Sequence, residues 1–304
     1  MMKKIFYILI CFLLISRFDV VAQTETNVVP DTAKVEPALT FSGTQSLTFT
    51  QTAFKNWAAG GANSVSGVAD VGLKLVYKTE KSTWETTLNA AYGLTYQESD
   101  YLKNTDKIDF LTKYGLRSSK KWYYSAMLQL KTQFYKGYKS YPPADKNNYT
   151  SRLMAPGYAI TSIGMDYKPN DELSFMLSPV SGKFTFVLDT MLSNRGDYGV
   201  TPGKKLFSEI GSLIRVTYSK KLKSQTTINS NLELFSSWVN NFGNIDMSWE
   251  FDLNVKINKW FSSKFYTKFL YDDDIKMVDP DTGVVGGPRL QFKQQFGVGI
   301  SLSF

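Results

Sequence analysis

Residues 245–257 read IDMSWEFDLNVKI, and this stretch decides the fold. Every second residue is apolar, and the residues between them are polar or charged. Neighbouring residues of a β-strand point to opposite faces, whereas a helix would bring apolar residues together every three to four positions. The stretch therefore predicts a strand with one face toward an apolar medium and the other toward a polar one.

The same two-residue alternation recurs along most of the chain and is almost as regular in residues 290–304. Similar patterns occupy residues 65–78, 83–97, 107–117, 122–135, 157–168, 209–219, 225–235 and 261–272. Two less regular segments, 45–54 and 173–188, bring the prediction to about 12 strands. The second contains Pro179 and Gly182, so it is either one bulged strand or two short ones.

The connections between these segments alternate between short and long. Short polar turns are predicted at residues 79–82, 119–121, 169–172, 220–224 and 258–259, and longer segments at 55–64, 98–106, 136–156, 189–208, 237–244 and 273–288. In an up-and-down barrel this alternation places all short turns at one end. Outer-membrane barrels have this arrangement, with short periplasmic turns and longer extracellular loops. The sequence therefore predicts an all-β fold, a transmembrane up-and-down antiparallel β-barrel.

A soluble sandwich or a lipocalin-like barrel is the alternative fold. The predicted strands are longer than the ~5–6 residues common in soluble sheets. Their polar faces also carry many charges, which a soluble barrel would have to bury at a high cost. Both observations favour the membrane barrel.

The N-terminus has the features of an export signal. Lys3 and Lys4 precede an apolar core at residues 5–15, and small residues end at Ala22, before Gln23. A membrane anchor is the alternative, but the apolar core is shorter than the ~20 residues that a spanning helix needs. The predicted organisation is a signal peptide at residues 1–22, a flexible periplasmic leader at 23–44 and the barrel at 45–304, located in the cell outer membrane.

Two sets of side chains follow from the predicted strands. Aromatic residues next to the short turns are expected to form a girdle at the membrane interface: Trp84, Trp122, Trp260, Tyr77, Tyr167, Tyr218 and Phe304. A second belt at the other end would comprise Tyr96, Phe134, Phe269 and Tyr271. The polar faces are expected to line the lumen with Asp70, Lys74, Glu85, Asn89, Lys107, Asp109, Lys113, Arg117, Gln129, Lys131, Glu209, Arg215, Glu233, Asp246, Glu250, Asp252, Lys256, Lys264, Lys268, Arg289 and Lys293.

Composition excludes several kinds of chemistry. The chain has no histidine, which excludes serine–histidine hydrolysis, and its only cysteine is Cys11 of the predicted signal. The carboxylates of Asp246, Glu250 and Asp252 share one strand face, but a charged lumen wall explains them better than catalysis. The acidic segment 272–283 lacks the spacing of a calcium loop and is better explained as solvated. We therefore expect no enzymatic activity, no cofactor and no metal. The net charge of +8 is modest, and the charges alternate in sign along the strands, so nucleic acid is not an expected partner.

Residues 54–64, FKNWAAGGANS, resemble the opening segment of a family of Bacteroidota outer-membrane proteins known only as domain of unknown function 3078. Residues 178–183, SPVSGK, add to this resemblance. It implies a Gram-negative outer membrane and a barrel, and it supplies no catalytic residue. The loop motif comprises Asn56, Trp57, Gly60, Gly61 and Asn63. Its glycines either permit a tight loop in which Trp57 anchors at the interface, or let Trp57 close the mouth or receive a partner. The resemblance also makes Asp31-Thr32-Ala33 and Asp189-Thr190-Met191 similar to a short O-glycosylation signal.

Two functions remain open from the sequence. The first is a narrow channel or transport-related pore for small polar solutes, with selectivity set by the mixed lumen charges. The second is a non-conducting barrel that serves as scaffold or accessory subunit of an outer-membrane complex. The expected partners are outer-membrane lipid, the outer-membrane assembly machinery and an envelope protein. A barrel of about 12 strands lies between filled and open ones, so opposite charges either line a pore or pair across it and close it.

Overall fold

The computed structural model describes residues 37–52, 64–97, 100–138, 143, 145, 147–222, 225–239, 243–272 and 286–304. These residues form a closed antiparallel barrel of twelve strands, and the predicted fold is confirmed. The strands are β1 (Ala38–Thr52), β2 (Ser64–Lys78), β3 (Ser82–Gln97), β4 (Asp100–Arg117), β5 (Trp122–Thr132), β6 (Gly157–Tyr167), β7 (Leu173–Phe186), β8 (Leu206–Leu222), β9 (Thr226–Ser237), β10 (Asp246–Lys256), β11 (Phe261–Tyr271) and β12 (Gln291–Ser303).

Each strand pairs with its neighbours in sequence, and β1 closes the barrel against β12. The closing register runs from Thr44 opposite Ser303 to Phe49 opposite Val298. A Cβ at Gly299 would lie 2.0 Å from the Leu47 carbonyl oxygen, so glycine allows the two backbones to approach at this seam. Each described strand therefore has a hydrogen-bonded neighbour on both sides over at least part of its length, as a closed membrane-spanning sheet requires.

The first strand corrects the predicted end of the leader. β1 begins at Ala38, not at residue 45, and Ala38 lies opposite Lys78 at the end of β2. Leu39 and Phe41 point outward while Thr40 and Ser42 lie between them, so the alternation starts earlier than predicted. The strand begins earlier than predicted because β1 pairs with β2 along the whole length of β2. Residues 1–36, which include the predicted signal and most of the leader, lie outside the described residues.

The connection between β3 and β4 corrects a second expectation. Residues 98–106 were expected to form a long loop, but Asp100 already belongs to β4 and pairs with Gln97. A register shift at Gly93 and Leu94 accommodates the longer hairpin. Long and short connections therefore do not alternate strictly in length, although the remaining turns and loops keep to their expected ends.

The irregular segment 173–188 is a single bulged strand. The pairing of β7 with β8 shifts between Ser178 and Ser181, across Pro179 and Val180. The Ser178 hydroxyl lies 2.7 Å from the Ile163 carbonyl oxygen and 2.8 Å from that of Val180. This hydroxyl contacts carbonyl groups at the point where the bulge breaks the ladder. The bulge also exchanges the inward and outward positions of the strand.

The loop between β7 and β8 contains a short helix, α1 (Thr190–Asn194), followed by a single 3-10 turn at Asp197–Gly199. Asp189 caps α1 because its side chain accepts a hydrogen bond from the Leu192 amide. No helix among the described residues is long and apolar enough to cross a membrane.

Candidate functional site

The outer wall of the barrel is apolar and exposed. Large side chains on the outward faces of the strands lie open to the surroundings, among them Leu75, Leu128, Ile163, Leu177, Val180, Ile210, Phe292, Phe296, Val298 and Ile300. Ile163 exposes 68% of its surface. Water-soluble proteins rarely expose a continuous apolar surface of this extent, whereas a membrane barrel requires one. The soluble alternative does not explain this surface.

The structure places the predicted aromatic girdle at the short-turn end. Tyr77 lies opposite Trp84, and Trp122 lies opposite Tyr167 with 4.9 Å between ring centroids. The Trp84 indole donates a hydrogen bond to Thr112, while Trp260 is largely exposed. Tyr218 lies opposite Leu173, the first residue of β7, although β8 continues to Leu222, and Phe304 directly follows β12 in the chain. At the long-loop end, Phe269 packs between Trp249 and Phe292.

Ion pairs cross the lumen between strands that are not neighbours. The Nζ atom of Lys107 on β4 lies 2.6 Å from the Glu250 carboxylate on β10. These two strands are six apart in either direction round the barrel. Lys268 approaches the other oxygen of Glu250 at 3.0 Å. Opposite walls of the barrel are therefore joined directly at this level.

A second group of charges joins β4, β5, β8 and β9. Lys131 lies 2.5 Å from Glu233, and Arg215 pairs with the other oxygen of the same carboxylate. Gln129 donates to Asp109 at 2.9 Å and accepts from Arg215 at 3.3 Å. Because Glu233 and Gln129 are buried, their polar atoms depend on these partners.

The remaining predicted lumen charges also have partners. Asp70 lies 2.9 Å from Lys264, which approaches Asp252 at 3.5 Å, and Lys74 lies 2.8 Å from Glu85. Lys293 donates to the Asn104 carbonyl oxygen, Lys256 to the Ser303 hydroxyl and Arg117 to the Tyr123 hydroxyl. Asn89 and Arg289 are exposed.

An apolar cluster fills the lumen beside these charges, which the alternation did not predict. Inward-facing residues of six consecutive strands pack together: Leu111, Met127, Ile160, Met176, Leu213 and Phe235. Met176 exposes 0% of its surface and Leu213 1%. Half of the inner wall, from β4 to β9, therefore encloses a packed core. The other half is wetter, since Asn89 is exposed and the Lys74 side chain is 49% exposed.

Two further lumen charges were missed from the sequence. Lys183 on β7 lies 2.5 Å from Asp246 and 3.4 Å from both Glu209 and Asp272. The bulge at Pro179 turns Lys183 inward, and only Pro179 and Gly182 hinted at this shift. Asp166 on β6 is fully buried and lies 2.6 Å from Lys113. The two-residue alternation around Asp166 is weak, because the apolar Ile160 lies on the same strand face.

The loops after β5 and β7 form a second packed core at the long-loop end. Tyr149, Ala155, Val187, Leu192 and Val200 are buried together. The described parts of these two loops therefore pack against each other. The loop motif Asn56, Trp57, Gly60, Gly61 and Asn63 lies outside the described residues.

Asp189 is the polar centre of this loop core. Its carboxylate accepts hydrogen bonds from the Tyr149 hydroxyl at 2.7 Å and from Arg152 at 2.9 Å. Burial alone would raise the pKa of Asp189, but the bonds from Tyr149, the Leu192 amide and Arg152 lower it below its ordinary value. The bond to Asp189 raises the pKa of the Tyr149 hydroxyl, and burial raises that of Tyr198 to about 12.

These shifts predict a pH window for the loop core. The lowered pKa of Asp189 stabilises the fold above its ordinary value of 3.8, and this contribution is lost as the pH falls through the folded pKa. The raised pKa of Tyr149 stabilises the fold below its ordinary value of 10.0 and is lost as the pH rises beyond it. The phenolate absorbance of Tyr149 is the difference between the wild type and the Tyr149→Phe variant. We expect it to develop above pH 10. In an Asp189→Asn background its midpoint should fall back toward 10, and equal midpoints in both backgrounds would contradict the assignment.

The described residues contain no group of three or more histidine, cysteine or acidic side chains placed to hold a metal ion. Of the acidic segment 272–283, only Asp272 is described, and it faces Lys183.

Among solved structures, the chain is similar to the translocator domain of autotransporter NalP from Neisseria meningitidis, with 9% identity, 90% of each chain covered and a TM-score of 0.36. It is also similar to an outer membrane channel from Pseudomonas putida F1, with 11% identity, 91% of this chain and 100% of that chain covered and a TM-score of 0.41. A third is the CymD monoaromatic hydrocarbon channel, with 8% identity, 87% of each chain covered and a TM-score of 0.31. No curated protein matches the chain.

Residues 49–138 match the model of a family described as "Protein of unknown function (DUF3078)". The match includes the segment 54–64, whose resemblance to this family is thereby confirmed.

Proposed function

We propose that the protein is an outer-membrane barrel with a closed lumen, which acts through the surfaces at its two ends and passes no solute. It corresponds to the non-conducting scaffold or accessory subunit of the two functions left open by the sequence. The observation that carries the proposal is the Lys107–Glu250 pair, which joins strands six apart across the lumen. Barrels of about eight strands are filled by side chains and those of 16 to 18 hold an aqueous channel, so the side chains of this lumen decide between the two.

The packed inner half supports the same proposal. Met176 and Leu213 are buried within the barrel, and a water-filled pore would leave such side chains solvated. Next to them, the buried Glu233 carboxylate pairs with the partly buried Lys131 and Arg215. In the closed arrangement each of these ions has a partner of opposite charge, and removing one partner would leave an uncompensated charge inside the barrel, which is strongly unfavourable.

The long-loop end supplies a surface suited to a scaffold. The loops after β5 and β7 share a buried core, and the Asp189 carboxylate accepts hydrogen bonds from Tyr149 and Arg152. Such loops present a fixed surface to an envelope partner. We propose no catalytic activity, because the chain has no histidine and its only cysteine lies in the predicted signal.

A narrow channel is the second candidate, and the wetter half of the lumen favours it. Asn89 is exposed and Lys74 is 49% exposed although both lie on inward faces. A channel for small polar solutes would follow this side of the lumen.

Conductance of the wild-type barrel in planar bilayers tests the proposed function. Folding is established first by heat-modifiable mobility in gels, and a porin serves as the positive control. The folded barrel should give no ohmic steps. Ohmic steps whose ion selectivity changes in Glu250→Lys would contradict a closed lumen and establish the channel.

A further inference from the structure

The two ends of the barrel differ in charge. The described residues at the short-turn end (78–81, 117–122, 168–172, 220–225 and 256–260) include ten basic and three acidic side chains. The described residues at the long-loop end (100–106, 133–156, 187–205, 243–246, 272 and 286–290) include seven of each. The charges of the strands alternate in sign and do not reveal this asymmetry. The excess of positive charge lies in the turns.

Six turn lysines form what we name the basic collar: Lys81, Lys120, Lys121, Lys220, Lys221 and Lys259. All except Lys220 are exposed, and Lys220 shares an ion pair of 3.1 Å with Glu172. The other acidic side chains of these turns are Glu80 and Asp171, both exposed. The collar therefore keeps an excess of solvated positive charge.

The aromatic girdle gives the depth of the collar. Lys121 immediately precedes Trp122, Lys259 immediately precedes Trp260, and Lys81 lies three residues before Trp84. Tryptophan prefers the boundary between acyl chains and headgroups. A strand advances ~3.3 Å per residue, so each ammonium group lies just beyond its indole, at the level of the headgroups.

We propose that the basic collar binds the anionic headgroups of phospholipids in the leaflet that the short turns reach. The proposal rests on the membrane placement of the proposed function. Basic side chains next to a bilayer surface attract anionic lipids, and the attraction extends over about one Debye length. The described residues of the opposite end have balanced charges and provide no comparable field.

Tryptophan quenching by brominated lipids tests the proposal. The full-length protein carries Trp57→Phe, Trp238→Phe and Trp249→Phe, so that only Trp84, Trp122 and Trp260 report from the short-turn end. It is reconstituted in phosphatidylcholine vesicles that contain brominated phosphatidylglycerol or brominated phosphatidylcholine. At low salt, we expect the brominated anionic lipid to quench several-fold more effectively per mole. This preference should disappear at high salt.

Two pairs of adjacent exposed lysines give matched variants. Lys120→Gln/Lys121→Gln removes two charges from the collar, and Lys204→Gln/Lys205→Gln removes two from the long-loop end. The collar variant should lose most of this preference, whereas the control should keep it. Equal quenching by both lipids, or an equal loss of the preference in both variants, would overturn the proposal. The collar would then be a candidate site for an acidic protein partner. Absence of quenching by either lipid would instead overturn the membrane placement itself.

Discussion

Met176→Ala is expected to lower the free energy of unfolding by about 2–5 kcal/mol. Met176 lies inside the barrel with 0% of its surface exposed and packs in the cluster of Leu213 and Phe235. Truncation would leave a cavity that the surrounding strands cannot collapse to fill. Urea unfolding of the reconstituted barrel, followed by tryptophan fluorescence, measures the loss.

The control for this prediction is the next residue of the same strand. Leu177 points outward and is 48% exposed, so Leu177→Ala removes atoms that meet acyl chains and leaves no cavity. We expect Leu177→Ala to lower the free energy of unfolding clearly less than Met176→Ala does. If the lumen were a wide aqueous pore, Met176 would be solvated and its truncation would change stability by no more than ~0.5 kcal/mol. That outcome would exclude a packed lumen.

Glu233→Ala should destabilise the barrel by about 3–5 kcal/mol. The Glu233 carboxylate pairs with both Lys131 and Arg215, and its side chain is only 9% exposed. Its removal leaves two cations close together in the inner wall without a counter-ion. The same urea unfolding experiment measures this change.

A double-mutant cycle separates the ion pair from general damage. In the Lys131→Ala/Glu233→Ala variant, one of the two unpaired cations is absent. The decrease in the free energy of unfolding of this variant should therefore be smaller than the sum of the decreases in the two single variants. Glu80→Ala, in an exposed turn, is the control and should stay within ~0.5 kcal/mol of wild type. Strict additivity at positions 131 and 233 would mean that the two side chains do not interact.

The outer wall of the barrel could be predicted from the sequence because it depends on local alternation alone. In residues 245–257, the apolar side chains must share one face once the segment is a strand, whatever its neighbours are. The position of the predicted girdle residues next to the short turns depends on the same local pattern, since Trp122 and Trp260 directly follow such turns. The start of β1 was missed because the alternation of Leu39 and Phe41 with Thr40 and Ser42 is short, and it is the pairing with β2 that makes this segment part of the strand.

The interior could not be predicted, because it depends on contacts between distant strands. Lys107 and Glu250 both lie on polar faces, but nothing in either strand indicates that β4 and β10 approach each other. The apolar cluster left a trace in the sequence, since Leu111, Met127 and Leu213 interrupt otherwise polar faces. Its meaning emerges only when these strands lie side by side. Lys183 required knowledge of the bulge at Pro179, which exchanges the faces of β7.

Cross-linking across the lumen tests the closed barrel most directly. Lys107→Cys/Glu250→Cys, in a Cys11→Ser background reconstituted in bilayers, is treated with a short bifunctional thiol reagent. Lys107→Cys/Lys256→Cys is the control, because position 256 lies six residues along the same strand, at a distance of ~20 Å. The closed lumen predicts efficient cross-linking of positions 107 and 250 and none of the control pair. Cross-linking of positions 107 and 250 by long reagents alone would show that the walls stand apart and would contradict the closed lumen.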